Sequence, residues 1–170
     1  LNFDADMVTM AKGYGNGAPI GAVLMKSEVA EKMAGKSYFN TFAGDTFQAL
    51  QAKLTMDIIR EEKLVQNAKA MGKLLKDGLE QLMKTHNLIG DVRGRGLLLG
   101  MELVKDRKTK EHATQEAIDF MDACKERGLL LGKGGLFGNV IRIAPPLSVT
   151  KDQINSMLQI MDQAFGDLKK

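Results

Sequence analysis

A chain of 170 residues with 44% hydrophobic and 26% charged side chains suits one ordinary domain or two small ones, and is too apolar for a disordered segment. The net charge of +3 is dispersed as mixed acids and bases, as in Arg60-Glu61-Glu62-Lys63, and Trp is absent with only 2 Tyr, which argues against a nucleic-acid partner. No apolar run approaches the ~20 residues that span a bilayer, so no membrane partner is expected either.

Met7–Met10 and Gly21–Met25 read as short buried strands. Ser27 is expected to cap a short helix through about Met33, with Glu28 in its first turn. Residues 35–44 read as a loop. Asp45 is a good N-cap for a helix to about Arg60, and a second helix follows from about Lys63 to Lys84, with Leu64, Ala68, Met71, Leu75, Leu79 and Leu82 near helical spacing. Residues 89–96 read as a turn leading into an apolar strand, Leu97–Val104. A charged loop, Lys105–Glu111, precedes a helix from Thr114 to Arg127 that Gly128 stops. Leu129–Leu131 and Val140–Ile143 read as strands, and Pro145-Pro146 ends the second. Thr150 with Gln153 forms a capping box for a last helix through about Leu168. The order after residue 92 suggests a small α+β sandwich with an antiparallel pair.

The single cysteine, Cys124, excludes an intrachain disulfide, fits a reducing compartment, and sits in a helical run as a small core residue rather than a nucleophile. His86 and His112 fall in polar, turn-like surroundings without ligand spacing, so no metal site is assigned. The acidic opening, Leu1 to Asp6, lacks the basic start of a signal peptide, and the expected location is cytoplasmic, or the mitochondrial matrix of a eukaryotic cell. The chain opens on Leu rather than Met and enters a strand almost at once, as a fragment or processed product would.

Lys12 carries the most information. It lies in Thr9-Met10-Ala11-Lys12-Gly13-Tyr14-Gly15-Asn16-Gly17-Ala18-Pro19-Ile20-Gly21-Ala22-Val23, where an apolar run ends at one lysine, a glycine-rich turn follows, and a second apolar run begins. Burial between two strands would disfavour the ammonium, and a neutral amine is a nucleophile able to form a Schiff base with an aldehyde. The plainer reading is a lysine at a strand end reaching to water.

This stretch resembles the lysine segment of the class III, pyridoxal-phosphate-dependent aminotransferases, "TxAKGxGxGxPxGAV", whose lysine carries the cofactor. Two further stretches support the resemblance. Phe39-Asn40-Thr41-Phe42-Ala43-Gly44 is similar to the family's "NTFGG" loop, whose threonine contacts the cofactor phosphate of the neighbouring subunit. Asn139-Val140-Ile141-Arg142-Ile143-Ala144-Pro145-Pro146-Leu147 is similar to "LRxxPPL", whose arginine holds the substrate carboxylate; a planar guanidinium suits that two-pronged contact better than an ammonium. By position, Lys12, Thr41 and Arg142 take these roles. Asp91-Val92-Arg93-Gly94-Arg95-Gly96-Leu97 resembles a further family stretch and reads as mainly structural, with Arg93 and Arg95 available for ion pairs or the substrate entrance. The family's Gly-Gly-Asn-Pro is Ala43-Gly44-Asp45-Thr46 here.

The resemblance implies an α/β fold: the C-terminal part of a pyridoxal-phosphate-dependent transferase, with residues 1–62 ending the large cofactor domain, 63–87 a linking helix, and 88–170 a small α+β C-terminal domain. It implies pyridoxal 5'-phosphate as cofactor, transfer of an amino group between an amino acid and a 2-oxo acid (alanine–glyoxylate-like or an ω-amino acid), and a homodimer in the complete protein. No residue of this chain matches the family's upstream phosphate-binding Gly-Ser loop, its ring-stacking aromatic or its pyridine-binding aspartate. The alternatives are a non-catalytic remnant or interaction module that keeps the fold, and a class III aminomutase or decarboxylase built on the same lysine.

Overall fold

The computed structural model describes residues 4–168, so expectations for residues 1–3 and 169–170 lie outside it. The chain divides into two compact units, one through Lys63 and one from Leu64. The stretch expected to link domains is thus the first helix of the second unit.

In the first unit, β1 (Met7–Met10) and β2 (Ala22–Met25) pair antiparallel, with Met7 opposite Met25 and Met10 opposite Ala22. The two strands were expected to be buried. Instead Val8 is 43%, Val23 50% and Leu24 61% exposed, because this two-stranded ribbon has no further strand beside it and no apolar layer over it. Helix α1 (Ser27–Met33) starts one residue earlier than the expected cap implies: Lys26 is the N-cap, and Ser27, already helical, makes no capping bond. Helix α2 (Thr46–Glu61) starts at Asp45, whose carboxylate accepts the Gln48 N–H at 2.9 Å. The Asp in place of the family's Asn therefore still closes the helix.

The second unit holds the hydrophobic core. Helix α3 (Leu64–Thr85) is followed by β3 (Ile89–Arg95), β4 (Leu98–Leu103), α4 (Thr114–Glu126), β5 (Gly132–Gly134), β6 (Val140–Ile143) and α5 (Lys151–Asp167). The four strands form one antiparallel sheet in the order β3-β4-β6-β5. Its inner face presents Val92, Leu99, Met101, Leu103, Ile141 and Ile143 to Leu75 and Leu79 of α3, Phe120 of α4, and Ile154, Met161 and Phe165 of α5. The alternation of buried and exposed residues along β4 and β6 is the period of a sheet covered on one side.

Two strand expectations are corrected here. Residues 89–95 are a strand, not a turn. The run is polar and glycine-containing, but pairing with β4 neutralises that cost: Asp91 and Glu102 stand opposite each other, and the Arg93 guanidinium donates to both at 2.7 and 2.6 Å. The turn itself is only Gly96-Leu97, where Gly96 takes φ +56°. Leu129–Leu131 is not a strand. The ladder begins at Gly132, and the three leucines form the connection from α4. The capping box on α5 is present as read: Thr150 Oγ1 accepts the Gln153 N–H at 3.3 Å and Gln153 Oε1 accepts the Thr150 N–H at 2.9 Å.

Both histidines also depart from their polar reading. His86 is buried, stacks on Phe165 at 4.9 Å between ring centroids, and bonds Asp162 through Nε2 at 2.6 Å. His112 stacks on Phe137 at 3.8 Å and bridges to Val104. Cys124 is fully buried, and burial pushes its thiol up to about 12. Arg107, in the charged loop, donates to the carbonyls of Ile89 and His86 at 3.0 Å each, and to that of Met83, so it closes the C-terminal end of α3.

Candidate active site

Lys12 follows directly on β1 and opens a single 3-10 turn, Lys12–Tyr14. Its backbone has φ +57°, a left-handed conformation that costs a side-chain-bearing residue about 1–2 kcal/mol. The surroundings hold it there. The Tyr14 N–H donates to the Ala11 carbonyl at 3.2 Å and the Gly15 N–H to the Lys12 carbonyl at 3.1 Å. Gly15 is buried, and a Cβ on it would meet the Ala18 carbonyl oxygen at 2.5 Å. The side-chain amide of Gln51 on α2 ties this turn down by donating to the Gly15 carbonyl at 3.0 Å. A non-glycine residue kept in this region by its neighbours is a mark of functional constraint.

The Lys12 side chain is exposed, so the burial expected to favour its neutral form is absent in this chain. It joins no ion pair among the described residues. Lys26, one strand away, behaves oppositely: its ammonium lies 2.8 Å from Asp4 and 2.9 Å from Asp6, and those carboxylates hold its pKa above the ordinary lysine value. The three charges were legible in the sequence, but only the antiparallel register brings them together.

Thr41 sits in the tight turn 41–44 and is exposed. The turn is set by the Asn40 carboxamide oxygen, which accepts the Phe42 N–H at 3.1 Å, and by the Ala43 N–H donating to the Asn40 carbonyl at 3.0 Å. Beside it is a cavity of about 270 Å³ lined by Pro19, Gly21, Asn40, Gly44, Asp45 and Gln48, among others. Neither Lys12 nor Thr41 lines it, so the two predicted cofactor residues are not brought together around one cavity.

Arg142 belongs to the second unit. It lies mid-strand on β6, exposed on the sheet face opposite the core. Its cross-strand partners are both glycines, Gly100 on β4 and Gly132 on β5. The guanidinium stem lies over Gly132: a Cβ there would come within 3.1 Å of Nε and 3.3 Å of Nη2. The same face carries Arg93, which Asp91 and Glu102 neutralise, whereas Arg142 has no side-chain partner among the described residues. An unpaired, planar guanidinium in a glycine-floored row is suited to a carboxylate. The two flanking glycines escaped the sequence reading because only strand register makes them neighbours. Arg95 is exposed and lines a separate cleft with Lys69 and Lys73.

The donor set fits one part of pyridoxal 5'-phosphate: Lys12 offers an accessible amine on a fixed turn. Comparison with known proteins agrees. The chain is 49% identical over 167 residues to alanine–glyoxylate aminotransferase 2 homolog 2, mitochondrial, of Arabidopsis thaliana, covering 98% of this chain and 35% of that protein. It superposes on the crystal structure of a Bacillus anthracis aminotransferase with a TM-score of 0.90 at 32% identity, covering 98% of this chain and 40% of that one. An amine transaminase from an uncultivated Pseudomonas species, solved in its PLP-bound form, gives a TM-score of 0.86 at 28% identity, covering 95% of this chain and 38% of that one. The chain spans about a third of the length of the curated relatives it matches. The Aminotransferase class-III family model matches residues 1–165, and the chain belongs to that family.

Proposed function

We propose that this chain is the lysine-bearing part of a pyridoxal-phosphate-dependent transaminase that moves an amino group between an amino acid and a 2-oxo acid, of the alanine–glyoxylate or ω-amino acid type. The observation that carries this is the turn at Lys12: an accessible amine at a strand end, in a left-handed conformation that its neighbours enforce. When bound, the cofactor supplies the electron sink for charge developing on the substrate carbon. Lys12 Nζ anchors the cofactor and, once released, moves a proton to and from that carbon. Arg142 orients the substrate by its carboxylate. Thr41 offers a hydroxyl and turn N–H groups to a phosphate, in a homodimer to the neighbouring subunit's cofactor. Mitochondrial relatives make the matrix of that organelle a reasonable location.

The test is chemical. Borohydride reduction in the presence of pyridoxal 5'-phosphate, followed by peptide mapping of the complete protein, should place a phosphopyridoxyl group on Lys12. Label on Lys26 or Lys133 instead would sink the assignment. Lys12→Ala should abolish amino transfer while leaving the melting temperature within a degree or two, since the exposed side chain makes no packing contact worth more than ~0.5 kcal/mol.

A second reading is favoured by one observation. Lys12 and Thr41 share no cavity in this chain, which suits a module that keeps the fold but is not catalytic by itself.

A further inference from the structure

A second cavity, of about 290 Å³, lies wholly within the second unit, at the C-terminal end of α3. One wall is apolar, made by Leu88, Phe165 and Leu168. His86 and Glu116 line the rest, and both are unusual: His86 is only 6% exposed, and its Nδ1 and the Glu116 Oε2 are buried atoms without a hydrogen-bond partner. Two such orphans in one cavity are a cost of about 1–3 kcal/mol each unless something meets them.

The polarity of the missing partner follows by elimination. His86 Nε2 lies 2.6 Å from the Asp162 carboxylate, which only accepts, so Nε2 carries the hydrogen and Nδ1 of the neutral ring is an acceptor. Glu116 Oε2 is an acceptor as well. The Thr85 hydroxyl spends its proton on the Leu82 carbonyl at 3.1 Å. Lys105, the only cation at the wall, is already paired with Glu111 at 3.0 Å. What remains is two acceptors, one of them anionic, beside an apolar surface. From this we infer that the cavity is a binding site for a small primary alkylammonium: its N–H groups meet Glu116 and His86, its charge offsets the half-buried carboxylate, and its alkyl chain packs on Phe165 and Leu88. The site shares no residue with Lys12, Thr41 or Arg142 and stands whether or not the transaminase reading does.

The chain has only two histidines, so the imidazole nitrogens can be followed individually. The full chain, labelled with [15N]histidine, is titrated with n-propylammonium chloride at constant pH, and His112→Gln assigns the signals. The expected result is a saturable shift of the His86 Nδ1 resonance with a millimolar midpoint, no shift at His112, and no response to sodium propionate. Glu116→Gln should weaken binding at least tenfold. If that variant does not fold, the wild-type chain still decides: nuclear Overhauser contacts should run from the propyl methyl to the Phe165 ring. An unmoved His86, as a water-filled cavity would give, overturns the inference. So does an equal shift with propionate, or a ring nitrogen that responds to zinc chloride and not to the amine.

Discussion

Arg142 and Arg93 lie on the same exposed sheet face, yet their surroundings set them different tasks. Arg93 is spent on Asp91 first and Glu102 second, contacts that raise its already high pKa and make it a cross-strand clamp. Arg142 has glycine on both sides and no partner among the described residues, so its five donors stay open. In the complete enzyme, Arg142→Lys keeps the charge but loses the fork. The expected loss is about 1.5–3 kcal/mol in kcat/KM for an amino acid, with little change for an amine that lacks a carboxylate. Steady-state kinetics on one substrate of each kind checks this. Equal losses for both would make Arg142 a structural residue. Gly132→Ala is the companion variant, since a methyl there would press on the guanidinium stem from 3.1 Å and should impair the carboxylated substrate selectively.

Helix α3 shows how far an element can be read before its neighbours are known. Its apolar stripe, its length and the residue that closes its successor α2–α3 junction follow from periodicity, and the buried Leu75 and Leu79 lie on the face that the pattern assigns to the core. Gly72 does not follow. In a helix interior glycine costs ~1 kcal/mol relative to alanine, so sequence alone makes Gly72→Ala look stabilising. A Cβ at Gly72, however, would lie 2.3 Å from the backbone of Gly96 in the β3–β4 turn. Overpacking against main chain cannot be relieved by a rotamer change, and a loss of about 1–3 kcal/mol is expected net of the propensity gain. Urea denaturation of the two chains decides the sign. The same logic explains β3: its pattern of Gly, Asp and Arg has no strand signature, and only the Arg93 clamp and the β4 ladder make it one. The caps at Asp45 and Thr150 were legible because a cap is a local bond. The clamp, the Gly72–Gly96 contact and the Arg107 closure of α3 were not, because each depends on residues brought near only by folding.

At the scale of the molecule, the two units differ in how they are held. The buried core belongs to the second unit almost entirely; Ala52 is the one fully buried apolar side chain of α2. The first unit presents Phe39 at 87%, Phe42 at 75% and Phe47 at 75% exposure. Native-state hydrogen exchange should therefore find the slowest amides in β4, β6 and α5, and fast exchange throughout β1 and β2. Comparable protection in both units would contradict this. The same asymmetry leads us to expect that the 170-residue chain by itself binds pyridoxal 5'-phosphate weakly and turns nothing over, since its anchor lysine stands in the less buried unit and shares no cavity with Thr41. Absorbance titration and a coupled transamination assay measure both, and tight binding with turnover by the purified chain would refute it.

The lone thiol turns that asymmetry into a clock. Cys124 lies at zero exposure inside the second unit, and its folded pKa of about 12 stands above the ordinary value of 9.0. The unfolded chain releases this proton first, so stability from this group is complete below pH 9 and drains away as pH rises toward 12. In neutral solution a disulfide reagent can react only when the second unit opens, because the reactive species is the thiolate and the packed thiol is neither ionised nor reachable. Fraying of the first unit leaves the signal silent. One unmodified residue thus reports the opening rate of one half of the chain, and comparing it between wild type and Gly72→Ala separates damage to the core from damage anywhere else.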